Sequence, residues 1–101
     1  VYKRQLEYGE QALRLAPENP AILDTVGMIQ VERGDFDAGI TNLKRAVALG
    51  PDLLPLQLNL AKALAKAGRG AEARTQLDTL LPRLKEGTPL HGEALALQKT
   101  L

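Results

Sequence analysis

Residues 19–52 read NPAILDTVGMIQVERGDFDAGITNLKRAVALGPD, and the punctuation of this stretch decides the fold. Asn19 offers a side-chain acceptor just before Pro20, and proline at a first helical position costs little because its missing N–H would be unpaired there anyway. Ile22, Leu23, Val26, Gly27, Ile29 and Gln30 follow at helical spacing, which predicts a helix from Pro20 to about Arg33. Gly34 stops it, since glycine takes the left-handed conformation that closes a helix C-terminus. Asp35 is the candidate cap of a second helix. Phe36, Ile40, Leu43 and Val47 sit at i, i+4, i+7 and i+11 of that helix and form one apolar stripe. Gly50-Pro51 ends it. Two helices with so short a connection run antiparallel and pack on each other.

The same layout recurs when the chain is shifted by 34 residues. LRLAPENPA (Leu13–Ala21) lines up with VALGPDLLP (Val47–Pro55). Ala12 falls on Ala46, Leu15 on Leu49 and Pro17 on Pro51, while Tyr2 meets Phe36 and Leu6 meets Ile40. Gly34 and Leu43 return as Gly68 and Leu77. A fixed period of this size marks stacked repeats, each one a supersecondary unit that cannot bury its apolar face by itself. Residues 1–16 place Tyr2, Leu6, Ala12 and Leu13 near one helical face, with Leu15 at the exit before Pro17. A fourth helix starts near Pro55, uses Leu56, Leu60, Ala61 and Leu64, and stops at Gly68. A fifth carries Ala73, Leu77, Leu80 and Leu81. Pro82 leaves two outcomes there: the helix ends at Leu81, or it kinks and frays to Gly87. Thr88-Pro89 opens a short sixth helix with Leu90, Ala94, Leu95, Leu97 and Leu101. No segment alternates long enough for a strand, so the class is all-α.

Composition narrows the function. The chain has 101 residues, which supports one domain with a continuous core. Thirteen basic and twelve acidic side chains leave a formal charge of +1 with no block of five or more like charges, which argues against a nucleic-acid binder. The 45% of hydrophobic residues includes only 3% aromatics and no Trp, so the core is built from Leu, Ala and Val in close-packed helices. Without cysteine there is no disulfide or thiolate chemistry, and the compartment stays open. No apolar run is long enough to insert into a membrane, and no signal-peptide pattern is present. The first residue, Val1, falls inside a helical pattern, which suggests a piece of a longer protein, so missing targeting signals say nothing about the parent.

The inventory for catalysis is poor. His91 stands without a second ligand at metal spacing, and is read as a solvated or a helix-start histidine. Gly68-Arg69-Gly70 follows no strand and reads as a helix–helix turn rather than a phosphate loop. Asp24, Asp35 and Asp37 are scattered acids, with Asp35 better read as a cap than as a general base. No enzyme activity, metal or cofactor is expected.

With this residue order, the helix pairs resemble tetratricopeptide repeats. Leu23, Val26, Gly27 and Gln30 fall where that family places a large residue, Leu, Gly or Ala, and Tyr; Gly34-Asp35-Phe36 matches its turn, and Gly39, Leu43, Ala46 and Pro51 complete the copy. Leu60, Ala61, Leu64, Gly68, Ala73 and Leu77 keep the register in the next one. The departures are Gln30 for Tyr, Gly9 for a large residue, Gly70 for the aromatic, and Pro82, with Lys85 at the usual terminal proline. The resemblance implies a right-handed α-solenoid of about two and a half repeats: 1–17 the second helix of a truncated repeat, 20–53 and 54–87 whole repeats, and 88–101 a capping helix. The phrases of residues 19–52 and 60–81, with the tail GTPLHGEALALQKTL, are also similar to the C-terminal repeats of bacterial repeat lipoproteins of exopolysaccharide and PEP-CTERM sorting systems. That likeness implies the periplasmic side of a cell envelope, with the cytoplasm as the alternative.

Members of the family bind peptides on the concave surface lined by the first helix of each pair. Carried over to this chain, that surface takes Asp24, Thr25, Met28, Val31 and Glu32 from one repeat and Leu58, Asn59, Lys62, Ala65 and Lys66 from the next. Asn59, Lys62 and Lys66 share a helical face, where an amide beside two ammonium groups suits a carboxylate. The set is incomplete, because no third first-helix is expected to follow. A solvated polar face is the plainer reading of the same residues, and Met28 and Val31 read equally as core. The function implied is a non-catalytic protein-interaction scaffold that binds a peptide or partner helix. The alternative is a structural, capped end of a longer solenoid with its binding surface upstream. An apolar face at Leu6 and Leu13, lacking its partner helix, also predicts a homodimer through the first helix.

Overall fold

The chain repeats one way of closing a helix. In a computed structural model describing residues 2–15 and 18–101, Gly34 and Gly68 both take positive φ, +90° and +78°. Asp35 donates its N–H to the Gln30 carbonyl and Gly34 to that of Val31; Arg69 and Gly68 do the same to Leu64 and Ala65. These are paired Schellman closures, and they place the next helix antiparallel to the last. The elements are α1 (Tyr2–Leu15), α2 (Pro20–Glu32), α3 (Phe36–Leu49), α4 (Leu54–Lys66), α5 (Gly70–Leu80), a 3₁₀ turn (Leu81–Arg83) and α6 (Pro89–Lys99). The starts of α2 and α4, and of α3 and α5, lie 34 residues apart, which is the period in the sequence. The described residues form no strand. The expectations that rest on Pro17 and on the side chains of Tyr2, Leu6, Leu13 and Leu15 lie outside the described residues.

Helix starts differ in how they are capped. The Asn19 side chain accepts from the Ile22 N–H at 3.2 Å, as its place before Pro20 predicts. Thr88 does likewise for the His91 N–H at 3.3 Å. Asp35 corrects the expectation drawn for it: its carboxylate makes no capping bond. Its ψ of 65°, against 112° at Asn19, takes it out of the extended geometry from which a side chain reaches the first turn. Only its backbone carbonyl serves, accepting from Gly39 N–H at 3.0 Å. At Pro82 the helix ends rather than kinks. α5 stops at Leu80, the chain makes its 3₁₀ turn, and Leu84 is extended.

Within the first pair the backbones nearly touch. A Cβ on Gly27 would lie 2.8 Å from the Gly39 carbonyl oxygen, and one on Gly39 would lie 2.7 Å from that of Gly27. The equivalent positions one repeat on are Ala61 and Ala73, both fully buried. Between pairs, Val31, Ile40, Leu43, Leu60, Ala63, Leu64 and Ala73 form one cluster, while Leu23, Ala46 and Leu56 form another beside it. At the far end α6 lays Ala94, with Leu90 and Leu97, over Leu58, Ala61, Leu77 and Leu80. Leu95 of α6 stays exposed.

α6 also corrects the expectation that no third first-helix follows. Pro89 falls one period after Pro55, so α6 takes the place that α2 and α4 hold in their repeats. It is an end layer built from the same repeat plan.

Among the described residues, no buried side-chain polar atom lacks a hydrogen-bond partner. Gln30, in the usual tyrosine position, accepts from Asn42 Nδ2 at 2.8 Å and so ties α2 to α3. Gln57 is buried in α4 and donates to the side-chain and backbone oxygens of Gln76 in α5, at 3.2 and 3.3 Å. Not every glycine is needed. Gly92 is exposed in α6, its φ is not positive, and nothing lies near its absent Cβ. Gly92→Ala is therefore expected to stabilise the chain by about 0.5–1 kcal/mol through helix propensity, read as a higher midpoint in urea.

Candidate functional site

The first helices α2, α4 and α6 stack side by side, and their facing residues meet about one period apart. Asn59 donates through Nδ2 to both oxygens of Asp24, at 3.1 and 3.2 Å. Lys66 holds Glu32 at 2.9 Å, and Lys62 lies 3.6 Å from Glu93. Asn59, Lys62 and Lys66 thus come to one face, and each has an acid of this chain beside it. For an incoming carboxylate, each donor would have to leave that acid. Glu93 stands one period after Asn59, so the third layer brings a carboxylate where the second brings an amide. Val31, which the sequence left between surface and core, is core. Met28 is partly buried against the same cluster.

A different opening lies beside α2. Tyr8 and Gly9 of α1, with Asp24, Thr25, Met28 and Ile29 of α2, line an open groove of about 700 Å³. Gly9 lets the two helices close at one point, where its Cβ would come 2.9 Å from Val26 Cγ2. A large residue is usual at that position of the repeat; its absence brings the helices together and leaves the groove's floor free of a side chain. Tyr8 stands at the rim, 61% exposed. Three of the residues singled out from sequence, Asp24, Thr25 and Met28, belong to this groove, whereas Glu32, Asn59, Lys62 and Lys66 belong to the ties between layers. Tyr8, Gly9 and Ile29 were not legible as site residues. The ties had a signal: Glu32 and Lys66 are opposite charges one full period apart, and residues so related face each other on neighbouring layers.

Burial raises the carboxyl of Asp24 above its ordinary 3.8, and the Asn59 hydrogen bond offsets part of that rise. The sign for stability follows. A carboxyl whose folded value is raised is best tolerated when protonated, below the unfolded value, and its contribution is lost as pH rises through the raised one. Asp24→Asn keeps the shape and an acceptor for Asn59. It is expected to raise the melting temperature at pH 7, with the gain fading as the pH falls through the raised value and gone below the ordinary 3.8. A melting curve that drops at pH 7 would show that the charge is compensated in the fold.

Among the described residues nothing else adds a second chemical centre. His91 is half-buried in the first turn of α6. Among the described residues no group of His, Cys, Asp or Glu has the geometry to hold a metal ion, and no helix is long and apolar enough to cross a membrane.

Stacked antiparallel helix pairs at a period of 34 residues, with an open groove between α1 and α2, define a helical-repeat protein of the kind that mediates protein–protein interaction. A family model for the tetratricopeptide repeat matches residues 30–97, well over half of the chain. The chain belongs to the tetratricopeptide repeat family. No curated protein matches it in sequence. The matched span begins at Gln30, after the groove residues of α1 and α2, so the family likeness rests on the helix pairs and the groove on its own geometry.

Proposed function

We propose that this chain is a non-catalytic scaffold that holds a peptide or partner helix against the first helices of its repeats, with the α1/α2 groove as the main seat. Asp24, Thr25 and Met28 line that seat, while Glu32 at the end of α2 and Asn59, Lys62 and Lys66 of α4 lie beyond it in the ties between layers. The observation that carries this reading is the groove itself: an open, largely apolar trough with two polar side chains of α2 converging on it. Balanced charge favours a protein partner over nucleic acid. The setting at a bacterial cell envelope, in an exopolysaccharide or protein-sorting system, is supported only by the sequence phrases that suggested it.

The test uses short amphipathic peptides with a fluorescent label. Thr25 is exposed, so Thr25→Tyr fills the groove without entering the core. Peptide binding should fall at least about tenfold in that variant, as for loss of a central contact. Lys62→Ala should leave it unchanged, since that lysine sits in a half-exposed pair worth little. Equal affinities across all three chains would remove the groove from the mechanism.

A second reading has its own support. All three α4 donors are engaged within the chain, and α6 buries the end of the stack. On this reading the segment is a structural terminus, and no peptide binds it.

A further inference from the structure

The groove between α1 and α2 has a bias in its polar atoms. Asp24, as a carboxylate, only accepts hydrogen bonds. Thr25 donates its single hydroxyl hydrogen to the Ala21 carbonyl at 3.0 Å, so toward the groove its oxygen also accepts. Among the described residues Asn59 alone donates a side-chain hydrogen bond to Asp24, and its one amide nitrogen leaves carboxylate lone pairs over. Among the described residues no lysine or arginine pairs with Asp24.

One repeat further on the bias is reversed. Thr25 and Met28 correspond to Asn59 and Lys62, and there Asn59 donates to Asp24 while Lys62 lies beside Glu93. The α4 face is built to meet acids. The α2 face offers acceptors beside an apolar floor, so what fits it must bring a donor and a hydrophobic group together.

We propose that the groove takes a short segment of a partner protein that places a lysine or arginine on Asp24 and Thr25 and an apolar side chain on Met28 and Ile29. This rests on the scaffold reading above and names the chemistry of its partner. The occupant is cationic because Asp24 is half-buried and, among the described residues, has no counter-charge. A charge-assisted bond in a partly dry groove is stronger than the same bond in open water. Burial holds the free carboxyl above its ordinary range, and an arriving cation draws it back down.

Three labelled amphipathic peptides that differ at one central position, Arg, Gln or Glu, test this on the 101-residue chain. The Arg peptide should bind about tenfold tighter than the Gln peptide, in the range of a charge-assisted hydrogen bond, and the Glu peptide weakest. In Asp24→Asn the Arg and Gln peptides should bind alike. The preference of the unaltered chain for Arg, and its weakening at high salt, is read without any variant. Equal affinity for Arg and Gln in the unaltered chain overturns the cationic partner and leaves groove binding standing. Binding by none of the three overturns both. Self-association that shifts the resonances of Thr25 and Ile29 without peptide overturns it in favour of a second copy of this chain.

Discussion

Leu43→Ala is expected to cost ~2–5 kcal/mol, a large share of the ~5–15 that holds a domain folded. Leu43 is 0% exposed and lies in the cluster shared by α2, α3, α4 and α5, so its loss weakens one helix pair and the seam to the next together. The cavity cannot close easily. α2 and α3 are already in backbone contact at Gly27 and Gly39, and the Leu43 side chain fills the space beside Gly27, 2.8 Å from where a Cβ would be. Chemical denaturation measures the loss directly. A neutral result would mean that Leu43 does not face the core and that the 34-residue register is wrong.

Gly39→Ala is the second large effect, and two terms of opposite sign decide it. Alanine in place of glycine inside a helix gains up to ~1 kcal/mol of propensity. Against this, the added Cβ would stand 2.6 Å from Val31 Cγ2, 2.7 Å from the Gly27 carbonyl oxygen and 3.0 Å from the Val31 nitrogen. The Val31 side chain is buried and β-branched, with little freedom to turn, and the two backbone atoms cannot move without spreading α2 from α3. Overpacking of that kind costs ~1–3 kcal/mol, so the net effect is a loss, read as a lower denaturant midpoint. The same substitution at Gly92 meets open space and goes the other way. A stabilised Gly39→Ala would show that the two helices do not approach so closely.

The helices and their order were legible in the sequence because each boundary is written in residues with one physical meaning. Asn19 and Pro20 start α2, and Gly34 and Gly68 close their helices with positive φ. Asp35 failed as a cap for a reason residue type does not carry: a backbone angle that turns its carboxylate away from the first turn. The third layer was missed because α6 keeps the period while losing the family's large residues, with Ala94 standing where Leu60 stands one repeat earlier.

For the site, spacing on one helix placed Asn59, Lys62 and Lys66 on a common face but said nothing of the helices opposite. Their acids come from α2 and α6, at distances in sequence of one period or nearly so. The groove was harder to foresee. It arises from a side chain that is absent, at Gly9, and from the way α1 then leans on Val26. The homodimer expected through Leu6 and Leu13 depends on side chains outside the described residues.

What separates an interaction scaffold from a structural terminus is where, if anywhere, this chain meets a peptide. An isotope-labelled chain titrated with the Arg-bearing peptide and followed by amide chemical shifts answers this residue by residue. Shifts concentrated at Tyr8, Gly9, Thr25, Met28 and Ile29, with Asn59, Lys62 and Lys66 little changed, are the predicted result. Shifts centred on α4, or a spectrum that stays silent to saturating peptide, would contradict it.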